Sequence, residues 1–387
     1  MTESRLLAFQ RLLEGRADLA FVPLSTDLHY LAGIARDIPK YGVTLHPGDW
    51  LEGAWVAPGH APVLALPRMT AEFAGRGAVE KAGGAAAGIE VRVLGDWDDP
   101  AALVRDLIAR FRLPARPRIA VSERAHAESL IHLQALLPDA IFVSATAIIR
   151  ELRLIKSADE IALMREAGRR TEAAFAELLP KLRFGMTELD MVAEIDYQMK
   201  RQDSLGPTFT TTLYNSGPNH PLLLGRRLES WKRKVMPPVS VLFDFGASHD
   251  GLCYDYGRTV SFGAPSAEQI RVHALVMQAQ RAGIAALKVG ATCEQVDATA
   301  RQVIADAGLG PAFRHRLGHG IGWDVHEPPF LTRGNATELQ EGMLFTVEPS
   351  ILQERGFSAR CEDVVVARPG GGERLTQGFQ ELFVVDH

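Results

Sequence analysis

Two apolar strand-like segments each carry a carboxylate, and the arrangement occurs twice. Asp244 lies in LFDFG (242–246) and Asp255 in CYDYGRTVSF (253–262). If 247–251 is a hairpin tip, its centre falls between His249 and Asp250, and Asp244 faces Asp255. Directly opposed side chains have Cβ atoms about 4.5–5.5 Å apart. Two carboxylates so placed repel, and in an apolar sheet one pKa rises strongly unless a cation intervenes. Glu348 ends LFTVE (344–348) and Glu362 lies in the strand-like 358–367. Their midpoint is Arg355, beside Gly356, so a second hairpin brings these two acids together. Arg360 shares a strand face with Glu362 and is expected in the site. Asp363 points to the opposite face. It and Asp250, at a turn tip, are read as solvated carboxylates.

A nitrogen ligand is found in RHRLGHGIGWDVHEPP (314–329). Glycines flank His319 and let the backbone approach closely. His326 follows seven residues on, and a neutral imidazole there suits hydrogen bonding or proton transfer. His220, in NSGPNHPL, sits in a loop punctuated by Pro and Gly. Four carboxylates and one imidazole suit hard or borderline divalent ions, manganese first, with cobalt, zinc or iron also accommodated. Four negative charges balance two dications. Such a pair can hold a hydroxide nucleophile and polarise a carbonyl.

The balance of 42 Lys plus Arg against 47 Asp plus Glu gives a formal charge of -5. This argues against nucleic-acid and membrane-surface partners, which favour a basic excess. The one basic cluster, RRLESWKRK (226–234), is read as a solvated connection near the site entrance. Three scattered cysteines give no disulfide framework and suit a reducing cytoplasm. The charged N-terminus carries no apolar leader segment, and no run is long enough to span a membrane. The motifs G-x-x-x-x-G-K-[ST], H-E-x-x-H and G-x-S-x-G are absent.

A length of 387 residues fits two or three domains. Residues 1–152 alternate helix and strand, as an α/β layer does. Expected strands are 19–23, 63–67, 89–94 and 118–122; expected helices are 5–16, 100–111 and 125–137. GGAAAG (83–88) reads as a loop. Ser157 and Glu160 form a capping box that opens a helix reaching about 179. Thr187 and Asp190 start another, to 201. Two more helices are expected at 267–288 and 293–307. Helix pairs followed by antiparallel strand pairs make 153–387 an α+β domain.

DFGASHDGLCYDYGRTV, HRLGHGIGWDVHEPP, EGMLFTVEP, GFSARCEDVVVA and IIRELRLIKSADEIALMREAG, taken in order, resemble the pita-bread (creatinase/prolidase-fold) metallopeptidases. The branch they resemble is that of the Xaa-Pro dipeptidases and Xaa-Pro aminopeptidases. DLAFVPLSTDLHYLAGI is similar to the family's N-terminal creatinase-like domain. The resemblance implies five metal ligands, Asp244, Asp255, His319, Glu348 and Glu362, with Asp255 and Glu362 bridging and Glu348 also the general base. It implies that His220, His315 and His326 contact substrate or steady the intermediate. Arg360 matches an arginine of the proline-specific branch. The implied enzyme is a cytoplasmic, homodimeric hydrolase of small Xaa-Pro peptides acting through a metal-bridging hydroxide. Gly257, where many members have Thr, Cys361, Pro237-Pro238 and Trp323 depart from the pattern, and Trp323 is expected to reshape the substrate pocket. A relative acting on a non-peptide amide, and a non-enzymatic binding scaffold, are the competing readings.

Overall fold

A computed structural model describes residues 4–35, 47–82 and 88–387. The expected loop at 83–88 lies outside the described residues except for Gly88. The chain divides into two units, Met1–Leu154 and Ile155–His387.

In the N-terminal unit, strands β1 (Leu19–Pro23), β2 (Gly53–Val56), β3 (Val63–Pro67), β4 (Glu90–Leu94), β5 (Arg118–Val121) and β6 (Ile141–Ser144) form one sheet, ordered β4-β3-β2-β1-β5-β6. β2 runs antiparallel to both neighbours and the other pairs are parallel. Among the described residues, helices α1 (Arg5–Leu13), α2 (Thr26–Ala32), α3 (Arg76–Ala82), α4 (Pro100–Phe111), α5 (Ala127–Leu136) and α6 (Ala145–Arg153) accompany the sheet. The central strands are buried along nearly their whole length instead of alternately. That is the pattern of strands covered on both faces. Phe21 packs on Trp55 with ring centroids 4.7 Å apart, amid Leu107 and Leu133.

The second unit begins with α7 (Ala158–Leu178) and α8 (Glu188–Arg201), followed by the short α9 (Arg227–Ser230), α10 (Ala267–Ala286) and α11 (Cys293–Asp306). Ser157 Oγ accepts from Glu160 N at 3.2 Å, and the Glu160 carboxylate accepts from Ser157 N at 2.9 Å. Both halves of the expected box are therefore made. Thr187 with Asp190 opens α8 likewise, and Thr292 with Gln295 opens α11, a third box outside the expectations.

Strands β7 (Thr212–Ser216), β8 (Val239–Phe245), β9 (Ser248–His249), β10 (Leu252–Cys253), β11 (Tyr256–Phe262), β12 (Gly318–Gly320), β13 (Glu327–Leu331), β14 (Leu344–Val347), β15 (Ser350–Ile351), β16 (Ala359–Arg360), β17 (Asp363–Val366), β18 (Glu373–Arg374) and β19 (Phe383–Val385) follow. They build a four-stranded sheet, β19-β11-β8-β7, a five-stranded sheet, β13-β12-β14-β17-β18, and the ribbons β9-β10 and β15-β16.

The first hairpin corrects the expected register. Its turn is Asp250-Gly251, with φ of 47° and 85°, and His249 pairs with Leu252. Two successive left-handed residues match the twist of antiparallel strands, which is why Asp-Gly is favoured there. The centre thus falls one residue later than expected. Asp244 faces Gly257, and Asp255 sits diagonally to it, two positions before Gly257. The second hairpin keeps the expected centre. Val347 pairs with Asp363 and Ser350 with Arg360, a register in which Glu348 faces Glu362.

Candidate metal centre

A backbone bridge joins the two hairpins. Gly257, beside β8, pairs with Glu362, whose N–H donates to the Gly257 carbonyl at 2.9 Å. A Cβ at Gly257 would lie 2.8 Å from Glu362 Cβ and 3.1 Å from Arg360 Cδ. The missing side chain is what lets Glu362 and Arg360 pass over this strand.

Asp255, His319 and Glu362 each offer an atom within 4.8 Å of the other two, and all three are buried. His319 Nε2 lies 3.6 Å from Asp255 Oδ2 and 3.5 Å from Glu348 Oε1. Its Nδ1 is 3.0 Å from the Gly320 carbonyl. A carbonyl only accepts, so Nδ1 carries the proton and Nε2 is the nitrogen aimed at the acids. Hydrogen bonding of one ring nitrogen in this way sets the tautomer of a ligating imidazole. Arg360 bonds Asp244 Oδ2 and lies 3.7 Å from Glu348 Oε2 and 3.8 Å from Glu362 Oε2.

The electrostatics are those of crowded acids. Burial, with the charges of Asp255 and Glu348, pushes Asp244 up to about 7 despite Arg360. Burial, then Asp255, Glu348 and Asp244, raise Glu362 well above the carboxylate range. Glu348 is raised as well, first by burial. Burial opposes the His319 imidazolium, but the Asp255 hydrogen bond and the Glu348 charge outweigh it, and its pKa rises. Asp255 Oδ1 and Glu362 Oε2 are buried without a hydrogen-bond partner. Orphaned carboxylate oxygens are costly. Converging with an imidazole lone pair, they fit divalent cations.

The remaining expected residues divide. The His326 ring lies 4.1 Å from that of His319, centroid to centroid. His315 donates from Nδ1 to the Arg316 carbonyl at 2.7 Å, and its Nε2 faces Ser350 Oγ and Arg360 Nη2. Both nitrogens are engaged, and burial, then Arg360, push its pKa down to about 3. It braces Arg360 as a neutral ring. His220 stands apart from this arrangement. Its Nε2 bonds Asn215 Oδ1, which also accepts from Arg233 at 2.6 Å, while the Asn215 amide donates to Glu188. Asn215 alternates with Tyr214, so it points away from the face that Tyr214 shares with Asp244. Arg233 belongs to the cluster expected to be solvated. Part of that cluster turns inward.

One further expectation is corrected, and two contacts lie outside the expectations. Asp363 is not solvated: it is fully buried, with Arg258 Nη2 at 2.7 Å and Gln280 Nε2 at 2.9 Å. The Trp323 indole N–H donates to Glu160 at 2.8 Å in a buried contact. Thr346 was not anticipated. Its hydroxyl accepts from His319 N at 3.1 Å and lies 3.4 Å from Glu348 Oε1. A polar residue two before Glu348 in an apolar strand was the available signal.

Residues 162–369 match the family model described as Metallopeptidase family M24. The chain belongs to that family. A Lactobacillus delbrueckii subsp. lactis protein named Xaa-Pro dipeptidase is 32% identical over 378 residues, covering 97% of this chain and 96% of its own. The prolidase of Thermococcus sibiricus superposes with a TM-score of 0.85 at 26% identity, covering 100% of both chains. The X-Pro aminopeptidase of Thermotoga maritima gives 0.81 at 26%, again over 100% of both. This M24 metallopeptidase has the pita-bread fold that its motifs imply. Among the described residues, no helix is long and apolar enough to cross a membrane.

Proposed function

We propose that this M24 metallopeptidase cleaves Xaa-Pro peptide bonds, as a dipeptidase or an aminopeptidase of the P type, with two divalent ions held by Asp244, Asp255, His319, Glu348 and Glu362. The observation that carries the reading is the convergence of Asp255, His319 and Glu362 within 4.8 Å. The names of the relatives and solved neighbours support the proline preference. When bound, the ions supply Lewis acidity, making water acidic enough to attack at neutral pH and polarising the peptide carbonyl.

The chain's own groups supply the rest. Glu348 takes the proton at its carboxylate. Burial raises its pKa above the ordinary carboxylate value, which favours proton acceptance. Arg360, braced by His315, is a fixed cation among the acids and orients the peptide. His326 stands beside His319 and hydrogen-bonds the reacting group. His220 is left out of this assignment because Asn215 holds it. Manganese as the working ion, a homodimeric assembly and a cytoplasmic location belong to the same proposal. Metal analysis, light scattering and cell fractionation test them.

The deciding experiment compares Gly-Pro and Ala-Pro with Xaa-Pro-Yaa tripeptides, with metal content measured on the same sample. Turnover of dipeptides alone assigns a dipeptidase, and turnover of tripeptides an aminopeptidase. Asp255→Ala is expected to lose both metal and activity. A metal-loaded protein that cleaves no Xaa-Pro peptide, or an active and fully loaded Asp255→Ala, ends the proposal.

A further inference from the structure

Lys156-Ser157-Ala158-Asp159-Glu160 reads in sequence as a helix start. Two of its side chains also reach the segment that runs from β12 to the start of β13, which follows His319 and carries His326. Lys156 Nζ pairs with Glu327 Oε2 at 3.1 Å, with side chains only 3% and 7% exposed. The other Glu327 oxygen accepts from Asp324 N at 2.9 Å, inside the loop. Glu160 caps Ser157 with one oxygen and accepts the Trp323 indole N–H with the other, at 2.8 Å. The Lys156 stem passes where a side chain on Gly322 would be: a Cβ there would meet Lys156 Cε at 2.8 Å.

Strand pairing alone does not fix this loop. The β12-β13 register shifts between His319 and Gly320, and pairing resumes only at Gly320 with Glu327. The position of His326, adjacent to Glu327, is therefore set by what holds the tip. A buried ion pair adds little stability over an apolar pair of the same size. Its presence here is better explained by the geometry it imposes.

We propose that Lys156 and Glu160 are positioning residues for the histidine loop. Through Glu327 and Trp323 they set where the His326 ring stands against His319. The catalytic consequence rests on the function proposed above; the geometry does not.

Trp323→Phe removes one hydrogen bond, keeps the ring, and leaves Glu160 capping Ser157. We expect bound metal and KM to stay at wild-type values and the melting temperature to fall by only a few degrees for the lost Glu160 contact, while kcat falls roughly ten- to a hundredfold. The nuclear Overhauser contact between the His319 and His326 rings, read on selectively labelled protein, should weaken with it. Unchanged kcat together with an unchanged ring contact overturns the inference. Lys156→Met takes the ammonium away from the buried Glu327 carboxylate, so it is compared with Lys156→Met/Glu327→Gln, which removes both charges. A positioning role predicts that the double variant regains thermal stability but not kcat or the ring contact. Recovery of all three means that the pair only stabilises the fold. If wild type cleaves no Xaa-Pro peptide, the proposed function fails and the ring contact alone decides this inference.

Discussion

Asp244→Asn should stabilise the metal-free protein. Asp244 titrates at about 7 instead of its ordinary 3.8, because burial and the neighbouring acids outweigh Arg360. The folded-state value lies above the unfolded one, so ionising Asp244 works against folding. The penalty is absent below about pH 4, grows by about 1.4 kcal/mol per pH unit, and is complete above about pH 7. A gap of about three in pKa corresponds to about 4 kcal/mol. Asn cannot ionise and escapes it. For a unit the size of Ile155–His387, that is a rise in melting temperature of roughly 8–16 °C. The assay is calorimetry of EDTA-stripped wild type and variant at about pH 8, where the gap should be largest, and at about pH 5.5, where it should fall to about 2 kcal/mol. Manganese at a hundredfold excess over Kd should then raise wild type by about 2.7 kcal/mol per ion. The variant, lacking a ligand, should gain less, so the gap closes or inverts. An Asp244→Asn protein less stable than wild type in EDTA at that higher pH would refute the reasoning, since Asp244 would then gain more from Arg360 than crowding costs it.

The same crowding predicts that metal loading at neutral pH expels protons, because Asp244, Glu362 and His319 all have raised pKa values without the ions. Affinity should weaken as pH falls through about 7. Titration calorimetry in two buffers of different ionisation enthalpy checks this, and identical apparent enthalpies count against it. Gly257→Ala should cost about 1–3 kcal/mol through its contacts with Glu362 and Arg360 and weaken metal retention; full metal content after gel filtration would contradict it. Asp363→Ala strands Arg258 in the interior and should cost about 3–5 kcal/mol in urea unfolding. An effect below about 1 kcal/mol would show the pair to be dispensable.

What was legible in the sequence was local. Ser157 with Glu160 and Thr187 with Asp190 announce helix starts because each box closes within four residues. The acid-bearing strands were visible as apolar runs, and Arg355 was found as the second hairpin's centre. The first centre, expected between His249 and Asp250, falls one residue later because Asp250-Gly251 carries the turn chemistry. What the far end of a side chain meets was not legible. Alternation correctly turned Asp363 away from Glu362, but nothing nearby in sequence says that Arg258 and Gln280 wait on that side. His220 and Trp323 were likewise placed by their loops, while Asn215 and Glu160 decide their positions.

The bridge between Gly257 and Glu362 is the step from local to assembled. Each hairpin alone brings two acids near each other, with repulsion as the only result. Two such pairs gain a common centre only when one strand of each hairpin meets the other. In this chain the meeting takes place over a residue with no side chain, and a Cβ at position 257 would lie 2.8 Å from Glu362 Cβ unless one of the two strands shifted. The glycine that departs from the family pattern is therefore part of the construction of this site. Restoring a β-branched residue there in this chain should push Glu362 away from Asp255 and His319 unless Arg360 moves with it. That coupling ties the positions of Glu362 and Arg360 to the absence of a single methyl group.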